Sequence, residues 1–136
     1  MGKNWSRKQC DNFSRDLSHH PKRAECDYVA IYSKEDGKCL GSHPTEGQEV
    51  STEEVEMLKR AFINPTMLYS YGIVLRGDKF TFVKVEKEAI LGRKVDESCL
   101  IVQLDQGILI CIYGSSLLTK DIYKHFIEIY EKYNRA

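Results

Sequence analysis

Apolar residues are densest between Leu100 and Tyr113. Leu100-Ile101-Val102-Gln103-Leu104 and Ile108-Leu109-Ile110-Cys111-Ile112-Tyr113 flank the short spacer Asp105-Gln106-Gly107. β-Branched residues fill both runs, which reads as two strands. A spacer that short closes only an antiparallel hairpin. The second run has almost no polar alternation, so it predicts a central strand covered on both faces. The rest of the chain has to supply those two covering layers.

Upstream, Trp5, Phe13 and Leu17 fall near one stripe of a helix predicted over residues 5–17, with Arg7, Lys8, Asp11 and Arg15 among its polar positions. Ser18-His19-His20-Pro21 ends it, because the residue before a proline avoids helical geometry. Tyr28 to Ser33 is a first strand, Glu35-Asp36-Gly37 a hairpin turn, and Lys38 to Ser42 the return. A polar loop over residues 43–49 leads to a helix with a clear start. Ser51 caps it, Glu54 completes a capping box, and Val50 and Val55 stand where a hydrophobic staple needs them. Val55, Leu58 and Phe62 form its apolar stripe, and Asn64-Pro65 stops it.

A short irregular piece precedes the strand Gly72 to Arg76, a Gly77-Asp78 turn and the strand Lys79 to Glu86. A brief strand around Ala89 to Leu91 and a charged connection, Gly92 to Ser98, lead into the central hairpin. From about Thr119, Ile122, Phe126, Ile129, Tyr130 and Tyr133 recur at helical spacing, with Lys124, Glu128, Glu131 and Lys132 on the other side. The order is helix, two strands, helix, about five strands, helix. Tight turns make the sheet antiparallel, and the helices must cover it, which gives a layered α+β domain.

Length and charge narrow the function. The 136 residues suit one domain with a sizeable core. Twenty basic and 20 acidic residues cancel, so generic attraction to nucleic acid or anionic membrane is not implied. Residues 1–20 carry no apolar core of a signal peptide, and no run is long enough to span a membrane. Cys10, Cys26, Cys39, Cys99 and Cys111 are odd in number and lack CxxC spacing, which reads as reduced thiols of a cytosolic chain.

Catalytic signals are absent. His19-His20 are adjacent loop residues that point apart, with no further ligand at familiar spacing, so no metal site is expected. Cys10 lacks any nucleophile signature, and no GxGxxG, Walker, HExxH or GxSxG motif occurs. Neither enzymatic activity nor a cofactor is expected. The basic residues carry more information. Lys79 and Lys84 share a strand, and Arg93-Lys94 follows the next one. Such lysines either protect a strand edge or present a basic surface to an acidic partner.

Ile90-Leu91-Gly92-Arg93-Lys94, a small charged loop, Cys99-Leu100-Ile101-Val102, a turn and Ile110-Cys111-Ile112-Tyr113 together resemble the profilin pattern. So do the Val50-Ser51-Thr52-Glu53-Glu54-Val55 helix start, the Asp36-Gly37 hairpin and a last helix carrying Tyr123 early. The resemblance runs from about Cys26 to the C-terminus, and its order and spacing are more specific than any single motif. It implies an α+β fold: one profilin-like domain over residues 1–136, with a longer N-terminal segment at 1–25. The terminal helices would lie on one face of an antiparallel sheet and the capped helix on the other.

The resemblance further implies a monomeric, cytoplasmic and cytoskeletal protein that binds monomeric actin and regulates filament assembly. By position the actin face would comprise Tyr69, Lys79, Thr81, Lys84, Arg93, Lys94, Thr119, Tyr123 and Lys124. Lys124 stands where the family often has an acid. Proline-rich peptides would meet Trp5, Phe13, Leu40, Tyr130 and Tyr133, a degenerate platform. Leu40 replaces the expected hairpin tryptophan, Glu128 a histidine, and Asn134 the final tyrosine. Either Trp5, or Cys10 with Phe13, fills the N-terminal aromatic positions. Weak or altered proline-rich binding is therefore expected. Phosphoinositide binding, another family trait, needs only clustered basic residues. The rival readings are a dimeric scaffold of roadblock type and an enzyme using Cys10 or Cys26.

Overall fold

The computed structural model describes residues 5–19, 26–43, 50–114 and 119–135. Its seven-stranded sheet is antiparallel throughout and has the order β2-β1-β7-β6-β5-β4-β3. The strands are β1 (Cys26–Tyr32), β2 (Cys39–His43), β3 (Ile73–Leu75), β4 (Asp78–Glu86), β5 (Ala89–Arg93), β6 (Glu97–Gln103) and β7 (Ile108–Gly114). The apolar hairpin is β6–β7, near the centre. Every residue from Ile108 to Tyr113 is buried, which is why that run shows no alternation.

The two faces carry separate cores. Helices α1 (Arg7–Ser18) and α4 (Thr119–Arg135) cover one, where Phe13, Leu17, Leu91, Leu100, Leu109, Ile122 and Phe126 meet. Helices α2 (Thr52–Ile63) and α3 (Met67–Tyr71) cover the other, with Tyr28, Val55, Leu58, Leu68, Ile73, Phe80, Ile101 and Ile110. Fully burying each such side chain stabilises the fold by about 1.5–3 kcal/mol. This is the predicted arrangement, with both terminal helices on one side.

Local chemistry sets the boundaries. A capping box starts α2: the Glu54 N–H donates to Ser51 Oγ (3.1 Å) and the Ser51 N–H to Glu54 Oε1 (3.0 Å). A second box starts α1 at Arg7, with Ser6 and Gln9 exchanging bonds of 2.8 and 3.2 Å. It leaves Trp5 just outside the helix, not on its first turn. The segment after α2 is not irregular but forms α3. Pro65 opens a new turn by accepting from the Leu68 N–H at 3.0 Å.

The β3–β4 turn is Arg76-Gly77, one residue earlier than the sequence predicts, because Leu75 pairs with Asp78. Both turn residues have positive φ, 53° and 82°, as a two-residue hairpin of this kind requires. The Glu54 carboxylate accepts both of their N–H groups at 2.9 Å, which fixes the turn against α2. The charged connection between β5 and β6 is shorter than expected. Gly92 pairs with Cys99 and Arg93 with Ser98, leaving Lys94–Asp96 to turn the chain. Of the predicted loop at 43–49, His43 ends β2, and 44–49 lie outside the described residues.

Candidate functional site

The basic residues come first. Lys79, Thr81 and Lys84 are exposed on β4, and Thr81 pairs with Arg93 of β5. Lys79, Thr81, Arg93 and Lys94 line one shallow concavity of about 620 Å³. A register shift between Phe82 and Lys84 sets Lys84 opposite Leu91, a residue of the α1–α4 core. Lys84 therefore joins Thr81 and Arg93 on the face that carries α4. Glu86, 3.3 Å from the Lys84 ammonium, shares that face. Tyr123 of α4 completes the group, and its phenol is shifted up by burial and by the Glu86 carboxylate.

Lys94 lines the concavity from within ion pairs, and Tyr69 stands apart. The Lys94 ammonium is paired with Glu97 (3.1 Å) and Asp78 (3.3 Å) and lies 5.3 Å from the Phe80 ring. Hydrogen bonding to Glu97 and then Asp78 holds it charged. Tyr69 of α3 is exposed and sets its ring edge-on to Phe82 at 4.9 Å, on the α2–α3 side of the sheet. Lys124 is exposed on α4. Thr119 begins α4, and its side chain lies outside the described residues.

The second group is aromatic. Trp5 lies 5.1 Å from Phe13, 5.6 Å from Tyr133 and 5.9 Å from Tyr130, measured between ring centroids. Phe13 in turn meets Tyr133 at 5.1 Å, and Tyr130 stacks on Phe126 at 5.3 Å. Phe13 is fully buried, so it underlies the cluster, while Trp5, Tyr130 and Tyr133 are only partly buried. Leu40 packs against the same core from β2. The docking of α1 beside α4 brings these rings together.

Contacts that no local motif reveals hold α1 there. Asp11 Oδ1 accepts from the Ser42 N–H at 2.8 Å, Arg7 Nη1 donates to the Cys39 carbonyl at 3.0 Å, and Tyr113 OH donates to the Leu17 carbonyl at 3.0 Å. Tyr133 OH donates to Asp16 on α1. Burial first, and then that bond, push the Tyr133 phenol up to about 12. Tyr130 OH donates to Gln106 Oε1 in the β6–β7 turn, a partner with no signal in the sequence.

The catalytic candidates gain nothing. Cys10 is buried, and burial pushes its thiol up to about 11, so at neutral pH it is protonated and not nucleophilic. Cys111 is a core residue, as predicted. The side chains of Cys26 and His20 lie outside the described residues. His19 is exposed, and its ring faces His43 at 5.9 Å. Among the described residues no group of three or more histidine, cysteine or acidic side chains is placed to hold a metal. No helix there is long and apolar enough to cross a membrane.

Profilin-1 of Dictyostelium discoideum is 26% identical over 73 residues, covering 54% of this chain and 58% of its own length. A Branchiostoma belcheri profilin is 24% identical over 102 residues, covering 75% of this chain and 79% of its own. The crystal structure of Schizosaccharomyces pombe profilin superposes with a TM-score of 0.66 at 24% identity, over 81% of this chain and 82% of that one. That likeness speaks for the fold alone. The family model described as Profilin matches residues 16–133, from the last turn of α1 into the last turn of α4, and the chain belongs to the profilin family.

Proposed function

We propose that this protein binds monomeric actin and regulates filament assembly. Family membership supports the reading, and one observation carries it to particular residues. Lys79, Thr81 and Arg93 share a concavity, with Lys84 and Tyr123 on the same face of the sheet. Cations around an aromatic ring suit an acidic protein surface, where the ring anchors and the charges steer. On this reading Lys124 and Thr119 border the contact, Lys94 supports it from its ion pairs, and Tyr69 touches it from across the β4 edge. The protein acts as a monomer in the cytoplasm and cytoskeleton, without nucleic acid, metal or cofactor. The family match favours this reading over a roadblock-type dimer.

Binding to proline-rich peptides is weak or altered on the same reading. Trp5, Tyr130 and Tyr133 offer stacking surfaces, but Leu40 supplies no ring and Glu128 adds an exposed carboxylate to α4. Fewer rings mean less affinity for a polyproline helix. Phosphoinositide binding is part of the same reading and needs only clustered basic residues.

Actin polymerisation followed by pyrene fluorescence tests the main reading. Excess protein should lengthen the nucleation lag. An unchanged lag with several actins would refute it. Trp5, the sole tryptophan, reports on the second site. Its emission should change little with micromolar polyproline, and a saturable micromolar shift would show the platform to be intact.

A further inference from the structure

The cavity between α2, α3 and β3 belongs to neither surface above. It measures about 260 Å³, and its walls include Met57, Met67, Leu68, Tyr71 and Val74. These walls are apolar, yet Met57 is 40% exposed, Tyr71 63% and Val74 41% at the mouth. Two methionines give it walls that adapt to an occupant's shape.

The cavity is built, not a gap left by loose side chains. Gly72 turns the chain from α3 into β3 with φ of 69°, and a Cβ there would lie 2.8 Å from Lys79 Cε and 2.9 Å from the Phe80 carbonyl oxygen. Glu54, on the wall, is committed to the N–H groups of Ser51, Arg76 and Gly77, which locks α2 to the β3–β4 turn. Glu53, also at the rim, is exposed and has no ion pair among the described residues. Glu56 continues the acidic edge one turn on, paired with Lys59 at 2.9 Å.

We propose that this cavity is a separate docking site for a basic amphipathic segment of a partner protein. An apolar side chain of the segment fills the pocket between Met57, Met67 and Tyr71, and a flanking lysine or arginine pairs with Glu53. The apolar volume calls for a hydrophobic anchor, and the acidic rim selects positive charge beside it. Glu53 and Met57 lie off the proposed actin face, while α3 carries both the cavity residues Met67, Leu68 and Tyr71 and the proposed contact Tyr69.

The test uses the full chain and two probes. One is a short helical peptide with leucines on one face and lysines on the other. Its counterpart has every lysine changed to glutamate. The chain has three methionines, so the ε-methyl signals of Met57 and Met67 are readily assigned by NMR. The lysine peptide should shift both signals saturably and bind at least about tenfold more tightly than the glutamate peptide. Met57→Gln, a change at an exposed helix position, should abolish binding, and Glu53→Lys should remove the charge preference. Unmoved methyl signals, equal binding of both peptides, or undiminished binding by Met57→Gln would overturn the proposal. Methyl shifts that grow with protein concentration alone would overturn it too, because they would make a second copy the occupant.

Discussion

Gly41→Ala should undock α1. The α-helix crosses β2 so closely that a Cβ at Gly41 would sit 2.4 Å from Cys10 Cβ and 2.8 Å from both Asp11 N and the Cys10 carbonyl carbon. Carbon atoms rest at about 3.5–4 Å, so the helix must withdraw by about 1 Å. Two of the three close atoms are backbone, and no rotamer relieves them. Overpacking of this kind costs about 1–3 kcal/mol. The same movement stretches the Asp11 bond to Ser42 and the Arg7 bond to Cys39, each contributing about 1 kcal/mol. A loss of about 3–5 kcal/mol lowers Tm by on the order of 10 °C in a domain of this size. Thermal unfolding by circular dichroism measures it, and Trp5 emission should shift red as its ring neighbours separate. Gly114→Ala is the control: among the described residues nothing lies within 4 Å of the added Cβ, so its effect should stay within about 0.5 kcal/mol. Cys10→Ala should not rescue Gly41→Ala, because the Cβ at position 10 remains. A Tm within about 2 °C of wild type, with unchanged Trp5 emission, would refute the reasoning.

Charge reversal at Lys84→Glu with Arg93→Glu should weaken actin binding by more than about tenfold without lowering Tm, as titration with labelled actin would report. Glu54→Ala removes the acceptor of three backbone N–H groups and should cost about 2–3 kcal/mol, with faster hydrogen exchange at Arg76 and Gly77. Cys10 bears on pH dependence. Its folded-state value, about 11, lies above the ordinary thiol value of 9.0, so its contribution is complete below pH 9 and is lost as pH rises toward 11. Denaturant melts across that window should show falling stability, and Cys10→Ala should make the fall shallower. At pH 8 in the native state Cys10 should resist alkylation, and labelling as fast as that of an exposed thiol would contradict its burial.

Much of the fold was legible because its strongest signals are local. The unbroken apolar run of β7, the Ser51–Glu54 capping box and the periodic face of α4 each specify an element without help from distant residues. The misses have the opposite character. Helix α3 follows a proline that ends one helix and opens the next, so Asn64-Pro65 reads equally as a stop. The Arg76-Gly77 turn owes its register to Glu54, 22 residues away from Arg76. The contacts that seat α1 on β2 pair Asp11 with Ser42 and Arg7 with Cys39, which no window of sequence brings together.

The candidate surfaces depend on register in a way that composition conceals. Simple alternation along β4 puts Lys79 and Lys84 on opposite faces, since they are an odd number of residues apart. The extra residue, Val83, reverses this. Phe82 pairs with Gly92 but Lys84 with Leu91, so Lys84 returns to the face of Thr81 and Arg93. A similar shift between Ile31 and Tyr32 leaves Leu40 as the extra residue of β2. It sends Leu40 toward the α1–α4 core while Cys39 packs against the other one. Position 40 therefore borders the aromatic cluster because of a bulge, and so does the loss of a ring there matter. Deleting Val83 should close the bulge with Phe82 still opposite Gly92 and Lys84 still opposite Leu91, so titration with labelled actin should show the basic face retained; lost binding at an unchanged Tm would refute the register argument.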